Sequence, residues 1–161
     1  LSPRLFTSSD YSDLKITCDG STWDVHRNIV CPASPFFKSC CEKFKEAQTG
    51  VIDLPDDSKD AVHALLSYIY TADYKTDEGL GDQKMLFQVR VHTIADKYDL
   101  LELCTLAESK FAALVSTEWH GEGFALAVKE MYAVAPDSKQ TLQKVAVETA
   151  IEHAADLLKD E

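Results

Sequence analysis

The sequence predicts an α+β chain, on three observations. Strand patterns are short and lie near the N-terminus. Apolar residues recur at helical spacing from about residue 59 onward. At 161 residues, 45% hydrophobic and 27% charged, the chain is long enough to bury one sizeable core, as one domain or one domain plus a small appendage.

The elements follow in order. Residues 1–12, with Pro3 among them, read as a loosely ordered arm with a short turn around Leu5 and Phe6. Leu14-Lys-Ile16-Thr-Cys18 alternates apolar and polar, as a strand with one buried face does. Asp19-Gly20 is a hairpin signal, because a type I′ turn needs positive φ at both central positions. The returning strand carries Trp23 and Val25. Pro32 and Pro35 divide the next segment into two short helices, about 27–31 and 35–43, since proline suits a first turn and not an interior. Gln48-Thr-Gly50 is a loop, and residues 51–54 form a third strand stopped by Pro55. Asp56-Asp57-Ser58 offers cap oxygens to a helix over 59–70, whose Val62, Leu65, Leu66 and Ile69 form one stripe. Residues 76–84 read as a loop. A second stripe runs through Phe87, Val91, Ile94 and Tyr98, and a third through Leu103, Ala107, Phe111 and Leu114, with a helical hairpin around Asp99 between them. Phe124, Val128, Met131 and Tyr132 line a further helix ended by Pro136. Asp137-Ser-Lys-Gln140 has the form of a capping box opening a last helix over 138–159.

Charge narrows the function. With 27 acidic and 16 basic residues the formal charge is −11, which argues against direct binding of nucleic acid, where clustered Lys and Arg must meet phosphate. No apolar run approaches the roughly 20 residues of a membrane-spanning helix, and no signal peptide opens the chain. It opens on Leu1 rather than Met, as a fragment would. The five cysteines (Cys18, Cys31, Cys40, Cys41 and Cys104) are odd in number and contain no C-x-x-C pair, which fits reduced thiols in a cytoplasmic or nuclear protein.

The reactive residues form no chemical motif. His26, Cys31, Cys40 and Cys41 lie close in sequence, but zinc ligands come in pairs spaced by two to four residues, and adjacent cysteines on a helix diverge by about 100°. No metal or other cofactor is expected, and buried thiols acting as small hydrophobes explain the cysteines. None of the five histidines stands in a hydrolase or metalloprotease motif, and Gly79-x-Gly81 lacks the preceding strand of a phosphate loop. A Cys/His nucleophile assembled only in space is the remaining enzymatic reading, and the expectation is no enzyme and no catalytic residue. Trp23 and Phe37 read as core. Phe44, between two lysines, is either a lid over the core or a docking residue.

An ordered series of motifs then resembles the BTB/POZ family. It runs from Ser12-Asp13-Leu-Lys-Ile through Trp23-Asp-Val25-His26-Arg27, Ala33-Ser34-Pro-Phe-Phe37 and Ile52-Asp-Leu54-Pro. It continues through Leu65-Leu66-Ser-Tyr68-Ile-Tyr70-Thr-Ala-Asp-Tyr74 and Ala95-Asp-Lys97-Tyr98-Asp-Leu100 to Ala107-Glu-Ser-Lys-Phe111. Pro35-Phe-Phe37, Leu54-Pro-Asp-Asp and Tyr70-Thr-Ala-Asp-Tyr74 look most like fungal single-BTB proteins with a helical C-terminal extension. The resemblance implies a small three-stranded sheet with a cluster of helices, organised as an arm over 1–11, a BTB/POZ domain over 12–116 and a helical extension over 117–161.

It also implies a protein–protein interaction module. The preferred reading is a substrate adaptor of a cullin-RING ubiquitin ligase; the alternative is a transcriptional or structural scaffold that self-associates. A homodimer is expected, with Asp13 and Arg27 at the family's charged dimer pocket and Ile29 and Phe37 in the apolar contact. Only twelve residues precede Asp13, so no exchanged N-terminal strand is expected. Cullin contact is expected at Phe44 and Glu46, which match a hydrophobic-x-Glu motif after the second short helix, with Tyr68 and Tyr74 as secondary and mostly structural candidates. The partners are proteins, with no membrane and no direct nucleic acid.

Overall fold

The structure, a computed structural model, describes residues 3–43, 49–133 and 140–157. Its contacts divide into two compact units, Leu1–Lys75 with Ile94–Leu103, and Thr76–Thr93 with Cys104–Glu161.

The first unit holds the sheet. Strands β1 (Leu14–Cys18) and β2 (Ser21–Val25) pair antiparallel from Leu14↔Val25 to Cys18↔Ser21. Asp19 and Gly20 between them both have positive φ, 45° and 73°, as the two-residue turn requires. Helices α2 (Arg27–Ala33) and α3 (Pro35–Lys43) then carry the chain across, so that β3 (Val51–Asp53) returns parallel to β1, with Ile16 opposite Ile52. The order is β2-β1-β3. Leu14, Ile16 and Cys18 face inward and are buried, as are Val25 and Ile52, which is the alternation read from sequence. Helix α4 (Lys59–Thr71) buries its whole predicted stripe, Val62, Leu65, Leu66 and Ile69. Large apolar side chains removed from water in this way each contribute about 1.5–3 kcal/mol.

Several local expectations are corrected. The arm is not loose: helix α1 (Pro3–Ser8) sets the ring of Phe6 over Tyr70 at 5.1 Å and beside His63 at 5.4 Å. Helix α2 runs two residues further than expected and includes Pro32 in its last turn, where the ring leaves the carbonyl four residues back without its helical donor. Ser58 caps α4 by position only, without a side-chain hydrogen bond, and Asp57 is engaged elsewhere. Trp23 is half-buried at the surface, its indole N–H donating to His63 Nδ1 at 3.2 Å.

Two long helices, α5 (Lys84–Lys97) and α6 (Leu101–Glu118), contribute residues to both units. The turn between them is the expected hairpin. Asp99 takes the left-handed conformation, φ 60°, and the Leu100 N–H reaches back to the Ala95 carbonyl at 2.8 Å, a Schellman closure.

In the second unit, Glu78–Gln83 is a 3-10 segment rather than a plain loop, started by Asp77, whose carboxylate accepts from the Gly79 N–H. Helices α7 (Glu122–Ala133) and α8 (Thr141–Glu152) complete a separate core with Met85, Val89, Phe111, Val115, Phe124 and Met131. The last helix begins at Thr141 and breaks at His153, before α9 (Ala154–Leu157), so it is shorter than expected; residues 137–139 of the expected capping box lie outside the described residues. Tyr132 is 62% exposed and not part of the stripe, because the helix turns Phe124 and Met131 inward and leaves position 132 on the other face.

One glycine fixes how the second unit closes. A Cβ on Gly123 would stand 2.4 Å from the Asp82 carbonyl oxygen, a backbone atom that cannot swing aside. Helix α7 reaches the 3-10 segment at this distance only because position 123 has no side chain. Gly123→Ala is expected to destabilise the protein by about 1–3 kcal/mol despite the better helix propensity of alanine. Thermal unfolding checks this, and an alanine variant as stable as the parent would contradict the packing.

Candidate interaction surface

The residues expected at a dimer contact lie along the start of β1 and the first half of α2. Asp13 is exposed, and its Oδ1 accepts from the Arg27 backbone N–H at 2.8 Å. That bond satisfies one of the donors left open at the start of α2, where the His26 side chain makes no capping bond. The Arg27 Nε donates to the Asp13 carbonyl at 3.3 Å. The two residues are therefore brought together, and they join the first strand to the first crossover helix. Gly50, φ 67°, closes against the same place, with its carbonyl accepting from Lys15. Ile29 is half-buried beside them in sequence.

Phe37 is fully buried, and so offers no face to a partner in this conformation. Its neighbour Phe36, within the 29–37 region expected to supply apolar contact, is 38% exposed and packs its ring 4.6 Å from that of Tyr98. Consecutive helical residues point about 100° apart, so one phenylalanine of the pair faces the core and the other the rim. Tyr11 is 93% exposed in a left-handed conformation, between α1 and β1.

The second group is more dispersed. Phe44 and Glu46 lie outside the described residues. Tyr74 is buried at 2% exposure, with burial and the charge of Asp73 raising its phenol well above the ordinary range. Tyr68 is half-buried and donates to Glu102 Oε2 at 3.1 Å; burial and that carboxylate raise its phenol too. Beside Glu102, Leu101 is 51% exposed at the first position of α6. A polar loop-to-helix boundary gave no signal for that exposed leucine.

Tyr98 organises the space behind Phe36. Its hydroxyl donates to Asp57 Oδ2, and Lys97 Nζ reaches both oxygens of Asp57, at 2.8 and 3.0 Å. The Ser34 hydroxyl donates to the Tyr98 carbonyl at 2.7 Å and accepts from the Phe36 N–H at 3.1 Å, capping α3. Burial first, and Asp57 second, raise the Tyr98 phenol. Burial, with Asp57, Asp19 and Asp53 nearby, likewise raises the Cys18 thiol, whose Sγ donates to the Asp57 carbonyl at 3.1 Å.

The histidines have evident structural work. The Tyr70 hydroxyl accepts from the His26 backbone N–H at 2.8 Å and lies 2.7 Å from its Nδ1, while Nε2 lies 2.6 Å from the Asp10 carbonyl. His92 is buried against Glu108 at 3.0 Å. His153 stacks on Trp119 at 3.8 Å, and His120 meets its edge.

The cysteines divide in a way the sequence did not show. Cys18, Cys40 and Cys104 are buried thiols, as expected, but Cys31 and Cys41 are disulfide-bonded. The reading of all five as reduced thiols fails at that pair.

The BTB/POZ domain family model matches residues 3–113, which includes α1. The chain belongs to the BTB/POZ family, whose fold is a platform for protein–protein interaction. A BTB/POZ domain-containing protein of Arabidopsis thaliana is 32% identical over 101 residues, covering 62% of this chain and 29% of its own length. The chain thus spans less than a third of that curated relative. Among solved structures, the BTB domain of human gigaxonin covers 66% of this chain and 91% of its own, at 24% identity and a TM-score of 0.48. The expected likeness to fungal proteins finds no support in the plant relative. Among the described residues, no helix is long and apolar enough to cross a membrane.

The raised phenols fix the sign of a pH effect. Tyrosine titrates near 10 when unfolded, whereas Tyr70, Tyr74 and Tyr98 titrate higher when folded. Above that pH the folded chain holds more protons than the unfolded one, so stability is fully present below about pH 10 and falls as pH rises through the range. The melting temperature is expected to hold up to about pH 9 and drop steeply beyond pH 10. Tyr98→Phe should lower stability at pH 7 by about 1–3 kcal/mol, through loss of the hydroxyl's bond to the Asp57 carboxylate, which keeps Lys97 as its partner, and make the alkaline drop shallower. An unchanged alkaline slope in that variant would contradict the assignment.

Proposed function

We propose that this chain is a self-associating, non-enzymatic adaptor that presents a cullin-binding segment to a ubiquitin ligase. The observation that carries the reading is the BTB/POZ match over residues 3–113. The motif likeness to fungal single-BTB proteins and the domain limits 12–116 and 117–161 belong to this reading and rest on sequence alone, as does a cytoplasmic or nuclear place of action.

In this reading the dimer forms around Asp13, Arg27 and Ile29. Phe37 supports that face from inside, and exposed Phe36 extends it as apolar area, since interface cores favour aromatic side chains and exclude charge. Helix α1 packing on Tyr70 of its own chain supports a dimer without an exchanged arm. Light scattering at high micromolar concentration is expected to give about twice the 17.9 kDa of one chain. Ile29→Asp together with Phe36→Asp is expected to restore a single-chain mass without lowering the melting temperature by more than a few degrees. A parent mass of one chain ends the dimer reading.

Phe44 and Glu46 are the proposed cullin contacts, with Tyr68 and Tyr74 as secondary and mostly structural candidates. An aromatic anchor of this kind contributes about 2 kcal/mol or more, and a neighbouring acid acts more on association rate than on affinity. In binding to purified cullin N-terminal domain, Phe44→Ala is expected to weaken affinity about 30-fold or more at unchanged melting temperature, and Glu46→Lys chiefly to slow association. If Phe44→Ala melts lower and binds normally, Phe44 is a lid over the core. If the parent binds no cullin but dimerises, the scaffold reading replaces the adaptor.

A further inference from the structure

We propose that Cys31 and Cys41 are a reversible redox modification site, a dithiol–disulfide pair that clamps α2 to α3 and exchanges with small-molecule thiols. The two lie ten positions apart on adjacent helices and their Cα atoms are 6.4 Å apart, within the roughly 4.4–6.8 Å that a disulfide spans. They are half-buried, whereas the three other cysteines are buried at 0%, 5% and 4% exposure. Exchange needs a thiolate to approach one sulfur along the bond, so exposure separates this pair from the rest. Cys40, next to Cys41, is turned into the core and cannot take its place without rotating α3 by about 100°.

The site is placed where a covalent tie matters. Helices α2 and α3 have seven and nine residues, too short to be stable alone, and the corner between them is made of Pro32, Ser34 and Pro35. The Ser34 hydroxyl on the Tyr98 carbonyl holds the corner, and the Asp13 carboxylate on the Arg27 N–H holds the far end of α2, so both act on helix N-termini. The disulfide joins the latter halves of the two helices, which neither bond reaches.

The chemistry balances as ordinary exchange. A glutathione thiolate attacks one of the two sulfurs, the S–S bond breaks, and its electron pair stays on the other cysteine, which takes a proton. A second glutathione thiolate displaces the first cysteine from the mixed disulfide, and that cysteine also takes a proton. The protein gains two electrons and two protons, and two glutathiones become oxidised glutathione. Oxidised glutathione reverses each step.

The test uses the whole chain, alkylated with iodoacetamide in denaturant and then digested with trypsin without reduction. Cleavage after Arg27, Lys38 and Lys43 puts Cys31 in peptide 28–38 and Cys40 with Cys41 in peptide 39–43. After incubation with excess oxidised glutathione the two peptides are expected as one joined species carrying a single alkyl group, which fragmentation places on Cys40. With excess reduced glutathione the join should vanish, returning when oxidised glutathione is restored. From the small loop closed, reduction should lower the melting temperature by roughly 5–10 °C. Cys31→Ser and Cys41→Ser should each match the reduced parent and no longer respond to glutathione, so the proposal survives the misfolding of either one. Alkylation of all five cysteines under oxidising conditions overturns it, as does a join through Cys40, or a join that excess reduced glutathione leaves intact.

Discussion

The first unit depends on one residue that does three things at once. Tyr98 follows α5, at a turn closed by Asp99 and Leu100, and its ring, hydroxyl and carbonyl serve different partners. The ring packs on Phe36 and Phe37, the hydroxyl meets Asp57 after β3, and the carbonyl takes the Ser34 hydroxyl at the start of α3. The pairs are separated by 41 and 64 residues along the chain. A hydrogen bond to a carboxylate contributes more than a neutral one, about 1.5–3 kcal/mol, and leaving a buried partner unmade costs a similar amount. The strand end, the crossover helix and the α5–α6 turn are therefore fixed together, and α3, which presents Phe36, has its position set by a residue far along the chain.

His26 does the corresponding work at the other end of the sheet. The Tyr70 hydroxyl accepts from the His26 backbone N–H and meets Nδ1 of the ring, while Nε2 faces the Asp10 carbonyl, which can only accept, so that nitrogen carries a proton. The His26 ring thus links the segment after α1, the end of β2 and α4. Phe6 lies over the same tyrosine. The arm folds onto its own chain, and the Asp13–Arg27 bond stands immediately beyond it. The proposed dimer face is consequently built from groups already satisfied within one chain. A second copy would meet an ordered surface and lose little conformational entropy on pairing.

What the sequence disclosed follows from which forces are local. The Asp19-Gly20 hairpin, the alternation of β1 and the stripe of α4 each depend on residues within a few positions of one another, and each was legible. The parallel return of β3 beside β1 was not, because register across a crossover is decided by partners 36 positions away. Asp57 shows the same limit at the level of one side chain. Next to Ser58 it has the composition of a helix cap, but Lys97 and Tyr98 offer it stronger partners than a backbone N–H, and no local pattern announces them. The α1 helix was missed for a related reason: six residues do not form a helix on propensity alone, and the packing of Phe6 on Tyr70 supplies the missing stabilisation.

For the candidate surface the limit lies in direction rather than in residue type. Helix α3 contains two adjacent repeats, Phe36-Phe37 and Cys40-Cys41, and in each pair one member is buried and the other exposed or half-exposed. Composition cannot distinguish them. Their helical phase can, once one inward residue is known, since Phe37 and Cys40 are three apart and share a face. The same phase leaves Phe36 at the rim and Cys41 for Cys31 on α2. A doubled residue on a short amphipathic helix thus serves two purposes at once, with the core taking one side chain and the surface the other. The identity of the core member is fixed by burial, whereas the outward member is free to acquire the helix's chemistry.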